Sequence, residues 1–204
     1  MLVDTESKAM MIVGALTGTL AWIAGYILTY VAAIGDVQSS DQFQALEYAA
    51  DDSLSVEMIG MLFYNAHNVP IDVPQYSILQ ALEPNHNFVS AEGGSTLLLY
   101  VIPVLILLVA GASVTMYARH DLVSTVDAAL TGTTIMIGYL PLVLLGTTVF
   151  AIDLGKGPMQ PDFLLAIGFA GTFYPMVFGA IGGVIGRYAA RVSHEEPIFD
   201  PDRT

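Results

Sequence analysis

The fold is decided by the stretch FLLAIGFAGTFYPMVFGAIGGVIG, residues 163–186, which carries no charged side chain. It exceeds the roughly 20 residues that cross the hydrocarbon core of a bilayer. On a helix, at about 100° per residue, its small residues fall within one arc of about 120°, opposite its bulky residues. The small residues are Gly168, Gly171, Thr172, Pro175, Gly179, Gly182, Gly183 and Gly186. Such a face allows close backbone approach in lipid, so the stretch predicts a tightly packed membrane helix.

The composition extends this prediction to the whole chain. Of its 204 residues, 54% are hydrophobic and 12% are charged, whereas soluble domains carry about 25% charged residues. Charge is absent from four runs, 9–35, 93–118, 128–152 and 163–186. Four buried helices of a soluble domain are disfavoured, because too little polar surface would remain to cover them. We therefore predict an all-α, polytopic membrane protein that forms a single membrane domain. Its four transmembrane helices are expected at about 9–34, 95–117, 125–152 and 163–188.

The first helix also has a face of small residues. Gly14 and Gly18 have the small-xxx-small spacing of packed membrane helices, and Ala21 and Gly25 continue the face. We expect helices one and four to pack against each other, or against copies of themselves, through these faces. The predicted packing residues are Gly14, Gly18, Ala21, Gly25, Gly171, Pro175, Gly179 and Gly183.

Residues 35–94, between helices one and two, form an acidic insertion with nine Asp and Glu and no Lys or Arg. Asp52-Ser53 is a potential cap for a helix over 53–66, and Pro70 bars its extension. Its apolar residues, which include Met58, Ile59, Met61, Leu62 and Phe63, must contact lipid or protein. We expect a helix docked on the bundle; the alternative is a mobile acidic loop. Pro74 is a potential start for a second short helix, 74–82, and no strand pattern predicts a sheet.

Positive charge predicts the orientation of the bundle. Five basic residues fall on one side of a four-helix topology, whereas Lys156 falls on the other; the five are Lys8, Arg119, Arg187, Arg191 and Arg203. Because basic loops stay in the cytoplasm, we expect a multi-pass protein of the cell membrane with both termini cytoplasmic. The tail 189–204 is then cytoplasmic and residues 35–94 are extracellular.

The charge balance is strongly acidic, with 19 Asp and Glu against 6 Lys and Arg. This excess argues against nucleic acid as a partner, since nucleic acid requires basic patches. An acidic exterior also indicates a halophilic cell, where salt screens the self-repulsion. An ordinary acidic loop is the alternative explanation.

No motif in the chain predicts catalysis, so we expect no enzyme activity, no catalytic residue and no cofactor. There is no cysteine. His67 and His86 lie near Asp72 and Glu83 in sequence, but their spacing matches no metal motif, and we predict no metal site. The outer end of the 53–66 helix is instead where a partner or ligand would meet the protein. The residues of this predicted site are Tyr64, Asn65, His67 and His86.

Three short segments carry a resemblance to a known family. They are MLFYNAHNVP at 61–70, GYLP at 138–141 and YPMVFG at 174–179. They resemble a family of uncharacterised haloarchaeal four-helix integral membrane proteins, which are sometimes labelled transporters. The resemblance covers about residues 10–190. It implies a haloarchaeal membrane location and no known catalytic residues.

Two functions are compatible with these patterns. The first is a structural or complex-forming membrane subunit, whose partners are the lipid bilayer, copies of itself or other membrane proteins. It is favoured because the four runs lack the ionisable residues of ion-coupled transporters. The alternative is a carrier or channel for a small solute. Pro141 and Pro175, each near glycines, are potential interruptions of helices three and four, as at transporter sites.

Overall fold

The computed structural model describes residues 5–50, 52–75, 82–92, 94–118, 124–153, 155 and 157–192. The helices are α1 (Thr5–Ser39), α2 (Asp41–Ala50), α3 (Ser55–Asn65), α4 (Phe88–Glu92), α5 (Val101–Tyr117), α6 (Thr125–Thr133), α7 (Met136–Val149), α8 (Phe163–Leu165) and α9 (Tyr174–Val192). A 3₁₀ segment, Gly94–Tyr100, leads into α5, and a π-helix, Ala166–Phe173, joins α8 to α9. The strands are β1 (Ile71–Asp72), β2 (Asn85–His86), β3 (Ile152–Asp153) and β4 (Pro158–Pro161).

Four helical stretches are long and apolar enough to cross a membrane, in agreement with the four charge-free runs. They are Lys8–Ser39, Thr96–Tyr117, Thr125–Val149 and Phe163–Val192. Large apolar side chains such as Leu20, Val109 and Leu164 are exposed along them, as a lipid-facing surface requires. Tyr117 and Tyr188 are exposed near the ends of α5 and α9, the level at which aromatic residues favour a membrane interface.

The glycine face of α9 packs against α5 and α6. A Cβ added at Gly111 of α5, or at Gly132 of α6, would overlap the carbonyl oxygen of Gly179. Gly183 approaches the carbonyl oxygen of Ala128 in the same way. These helices therefore touch backbone to backbone, which only glycine permits.

The glycine face of α1 packs against α6, α7 and α3. A Cβ at Gly14 would overlap Thr134, and one at Gly18 would overlap the carbonyl oxygen of Ile135. A Cβ at Gly25 would lie 2.9 Å from the ring of Phe63 on α3. The faces of α1 and α9 thus meet other helices of the same chain rather than each other, which corrects the expected pairing. The predicted packing residues themselves are buried in the bundle: Gly14, Gly18, Ala21, Gly25, Gly171, Pro175, Gly179 and Gly183.

The third membrane helix is interrupted at Thr134–Ile135, before Pro141, where the sequence predicted a potential interruption. The Thr134 N–H donates to the carbonyl of Thr131 at 3.1 Å, and its hydroxyl donates to the same oxygen at 2.6 Å. This tight turn separates α6 from α7. Gly138 allows α7 to pack closely on α1, because a Cβ at this position would overlap the carbonyl oxygen of Ala15.

The fourth membrane helix changes to π geometry just before Pro175. Proline has no N–H to donate, and in an α-helix its ring would clash with the carbonyl of the residue four positions earlier, Gly171. The wider turn accommodates both defects. It also changes the phase of the helix, so Gly168 is exposed with open space around it, although it belongs to the predicted small face.

The described residues are mostly helical, as predicted, but a four-stranded antiparallel sheet in the order β2-β1-β4-β3 corrects the expectation that no sheet is present. Ile71 pairs with His86 on one side and Pro161 on the other. The sheet joins the segment after α3 to the loop between α7 and α8, so these regions lie at one end of the bundle. Strands of two to four residues are too short to show alternation in sequence. The helix expected at 74–82 falls mostly outside the described residues.

Candidate functional site

The helix expected at 53–66 is present as α3 and is largely buried. Nine of its residues are buried, Ser55 and Met58–Asn65. It begins at Ser55, two residues after the start expected at 53. Leu54 stands at the N-cap, and its N–H donates to the carboxylate of Glu47 at 3.0 Å. The apolar residues of α3 therefore lie in protein, with a side chain from α2 satisfying the helix start.

α3 packs against α1, and its Tyr64 side chain reaches α7. The ring of Phe63 meets Trp22 edge to face, with ring centroids 5.6 Å apart. A Cβ at Gly60 would overlap the ring of Phe150, which stacks on Tyr26 at 5.1 Å. The Tyr26 hydroxyl donates to the carbonyl of Val56 at 3.2 Å. α3 is thus a buried helix held by large aromatic side chains.

The chain reverses after α3 through a left-handed Asn68. Its φ is 58°, its N–H donates to the carbonyl of Asn65 at 2.9 Å, and the N–H of Val69 donates to that of Tyr64 at 3.1 Å. This pair of bonds is the Schellman arrangement, in which Asn is the usual substitute for Gly. The Asn65 side chain donates to the carbonyl of Val69 at 2.8 Å and accepts from the N–H of Phe88 at 2.9 Å. The turn is therefore fixed from both sides.

His67, the side chain that follows α3 into the bundle, is fully buried. Its Nδ1 lies 2.7 Å from the carbonyl oxygen of Phe63, and its Nε2 lies 2.8 Å from the hydroxyl of Tyr139. A carbonyl can only accept, so Nδ1 carries the proton and Nε2 accepts from Tyr139. Burial lowers the pKa of His67 to about 4, against the opposing effect of the Phe63 bond. The imidazole is therefore neutral at neutral pH.

Two further tyrosines complete the group around His67. The Tyr174 ring lies 5.1 Å from the imidazole, and its hydroxyl accepts from the Asn68 amide at 2.7 Å. The Tyr64 hydroxyl donates to the carbonyl of Val143, and burial raises the pKa of that phenol. We call Tyr64, His67, Asn68, Tyr139 and Tyr174 the His67 cluster. Its bonds connect the α3 region to α7 and α9.

The structure brings together three of the four residues predicted as an outer partner or ligand site. Tyr64, Asn65 and His67 are buried and bonded within the chain, so a ligand would have to displace those bonds. His86 lies apart on β2, partly buried, with its ring 4.5 Å from that of Phe88. Burial lowers the pKa of His86, and Glu83 opposes that shift. A ligand-binding role for these residues stays a prediction.

Sequence reasoning missed Tyr139 and Tyr174, although a signal was present. Tyr139 precedes Pro141 by two residues, and Tyr174 precedes Pro175 directly. Both lie just beyond the interruptions of the third and fourth membrane helices. A tyrosine beside a helix-breaking proline in each of two membrane helices is a pattern that could have linked them.

Among the described side chains, no three His, Asp or Glu lie close enough together to hold a metal ion. Asp72 lies close enough to Asp162 for the two carboxylates to interact. Partial burial, and then the charge of Asp162, raise the pKa of the Asp72 carboxyl. The Asp162 carboxylate accepts from the N–H of Leu165 at 2.7 Å and so caps α8.

A protein-family model described as a family of unknown function (DUF7978) matches residues 3–190. The chain belongs to DUF7978. A search of the curated proteins and a search of the solved structures found no match. DUF7978 membership and four apolar helices are consistent with a membrane protein of unknown activity.

Proposed function

We propose that the protein is a structural or complex-forming subunit of the cell membrane of a halophilic archaeon. The observation that carries this proposal is α3, whose buried side chains pack on Trp22 of α1 and bond to Val143 of α7 in the interior of the bundle. The net charge of −13 supports the halophilic assignment, because high salt screens such self-repulsion.

The polar groups around α3 also favour a static role. His67, Tyr64 and Asn65 each bond within the chain, so they offer a solute few free donors or acceptors. Ile59, Met61 and Phe63 are almost wholly buried. Exposing each of these side chains to water costs about 1.5–3 kcal/mol. Withdrawing α3 from the bundle would therefore be an energetically costly way to open a path for a solute.

The outer acidic segment supplies a surface for a partner. α2 is held to the protein by buried Phe43 and Leu46, whereas Tyr48 is 91% exposed on it. Exposed tyrosines are frequent anchors of protein interfaces. Because residues 35–94 contain no Lys or Arg, a partner with a basic surface would fit best.

Co-purification after mild detergent extraction tests this role. We expect a partner at a fixed ratio to the protein, which Tyr48→Ala weakens and the lipid-facing control Leu20→Ala leaves in place. A lone oligomer with a wet central cavity would contradict the proposal and support transport.

We further propose that both termini are cytoplasmic and that residues 35–94 are extracellular. The five-to-one distribution of basic residues supports this orientation. Labelling intact cells with an impermeant thiol reagent tests it, since the chain has no cysteine of its own. Ser40→Cys should react and Ser193→Cys should be protected; the reverse pattern would overturn the orientation.

A carrier or channel for a small solute is the second candidate. It is favoured by the interruptions at Thr134–Ile135 and in the π-helix, because broken membrane helices and π segments recur at functional sites. Tyr139 and Tyr174 lie just beyond them. Solute uptake by proteoliposomes that Tyr139→Phe abolishes, with the fold intact, would favour this function.

A further inference from the structure

A pocket of about 360 Å³ opens between α1, α3 and the start of the second membrane helix. Ala33 and Asp36 of α1 form one wall, and Leu99 and Ile102 form the other. Leu62 of α3 also lines it. The pocket is separate from the His67 cluster.

The position of Asp36 along α1 gives the pocket a depth in the membrane. Lys8 and Asp36 lie on one continuous helix, and at 1.5 Å per residue they are about 42 Å apart along its axis. A bilayer with its headgroups is about 40–45 Å thick. With Lys8 at one surface, Asp36 therefore lies at headgroup level on the other, whereas Ile102 lies nearer the hydrocarbon.

The polarity of the lining follows the same gradient. Asp36 is the ionisable residue among the described lining residues, and Thr96 is the other polar one. The Thr96 hydroxyl donates to the carbonyl of Val89 at 3.0 Å. The rest of the lining is alanine, valine, leucine and isoleucine. A molecule with an apolar body and one polar end matches this arrangement.

The charge around the pocket selects the sign of that polar end. Residues 35–94 contain nine carboxylates and no Lys or Arg, so the local potential is negative. This field disfavours an anionic headgroup and attracts a cation. A carboxylate at the pocket rim is then a suitable partner for an ammonium group.

We propose that this pocket binds an amphipathic cation, with its alkyl chain against Leu62, Leu99 and Ile102 and its ammonium group beside Asp36. The shared chemistry is an alkylammonium, which either a free long-chain amine or an aminolipid of the bilayer supplies. The site does not depend on the proposed complex-forming role.

Fluorescence titration of the full chain in neutral-lipid nanodiscs tests the site. The probe is a dansyl-labelled dodecyltrimethylammonium, and its matched control is a dansyl-labelled alkyl carboxylate of equal length. We expect saturable binding of the cation and weaker binding of the carboxylate. Asp36→Asn should weaken cation binding about two- to fivefold, the size of an exposed ion pair, whereas Asp41→Asn on α2 should not.

A second variant tests the apolar part of the pocket. Leu98 lines the pocket and is 69% exposed, so Leu98→Trp should fold normally and obstruct the opening. We expect it to weaken both probes. Equal effects of Asp36→Asn and Asp41→Asn, or unchanged binding in Leu98→Trp, would overturn the proposal.

Native mass spectrometry distinguishes the two sources of the ligand. Retention of phosphatidylethanolamine over phosphatidylglycerol, lost in Asp36→Asn, identifies an aminolipid. Displacement of the dansyl cation by dodecylamine, without selective lipid retention, identifies a free amine. Both outcomes support the site.

Discussion

Where α5 and α6 meet residues 179–192 of α9, helix backbones touch through glycine; around α3, the same bundle is held apart by large aromatic rings. We call these regions the glycine half and the α3 half. Gly179 lies against carbonyl and glycine atoms of two helices, whereas Phe63 lies against Trp22 and Gly25. In the α3 half, α3 packs on Trp22 of α1 and bonds to the carbonyl of Val143 in α7. Small residues and a buried helix are thus two parts of one packing arrangement.

The largest effect is expected from emptying the α3 half. Phe63→Ala removes a buried ring and leaves a cavity between α1 and α3, which should cost about 3–5 kcal/mol. Thermal unfolding in mild detergent measures the loss. Phe163→Ala is the matched control, since that ring is exposed on the membrane surface. Equal melting temperatures for the two variants would show that the packing of α3 does not stabilise the bundle.

Overfilling the glycine half should have a slightly smaller effect. Gly179→Leu forces α9 away from Gly132 and Ile135, at a cost of about 3 kcal/mol. Gly168→Leu, on the same membrane helix, meets open space and should be tolerated. The measurement is again the melting temperature, with size-exclusion chromatography to follow assembly. Similar behaviour of both variants would contradict the close packing.

Removing one hydroxyl from the His67 cluster should have an intermediate effect. Tyr139→Phe leaves the buried Nε2 of His67 without its donor, which should cost about 1–3 kcal/mol. Tyr174→Phe should cost less, because its partner Asn68 is exposed and can bond to water. Chemical denaturation of both variants checks the order, and a larger loss in Tyr174→Phe would contradict the assigned bonds.

Acid should weaken the α3 half selectively. The pKa of His67 falls from 6.5 when exposed to about 4 in the folded protein. Between these values the unfolded chain binds a proton that the folded chain does not. The contribution of neutral, buried His67 to the free energy of unfolding is therefore fully present above pH 6.5. It falls by about 1.4 kcal/mol per pH unit as the pH drops toward 4.

A pH series of unfolding curves measures this slope. His67→Gln is the control: it should be less stable at neutral pH but should lose this part of the pH dependence. Identical slopes for the two proteins would show that His67 does not titrate as its burial requires.

Much of this fold could be predicted because its signals are local. The charge-free runs mark the four membrane helices, and the apolar residues between Asp52 and Pro70 mark α3. The partners of the glycine faces could not be predicted, because any face of small residues can pack on any other. Neither Gly14 nor Gly179 has a side chain that would specify which helix it contacts. The sheet has strands too short to show a pattern.

The candidate site was predicted only in part, for a related reason. Tyr64, Asn65 and His67 are adjacent in sequence, but their bonding partners are distant. His67 and Tyr139 are separated by 72 positions, and the π-helix that orients Tyr174 depends on where Pro175 interrupts the helix. Tertiary contacts of this kind leave no periodic trace in the chain.

The position of α3 also sets an order of assembly. Tyr64 bonds to a residue 79 positions later, and Asn68 bonds to one 106 positions later. A chain synthesised from its N-terminus therefore inserts its first two membrane helices before these partners exist. α3 can dock completely only after the fourth helix has entered the bilayer, so its docking is the closing step of biogenesis.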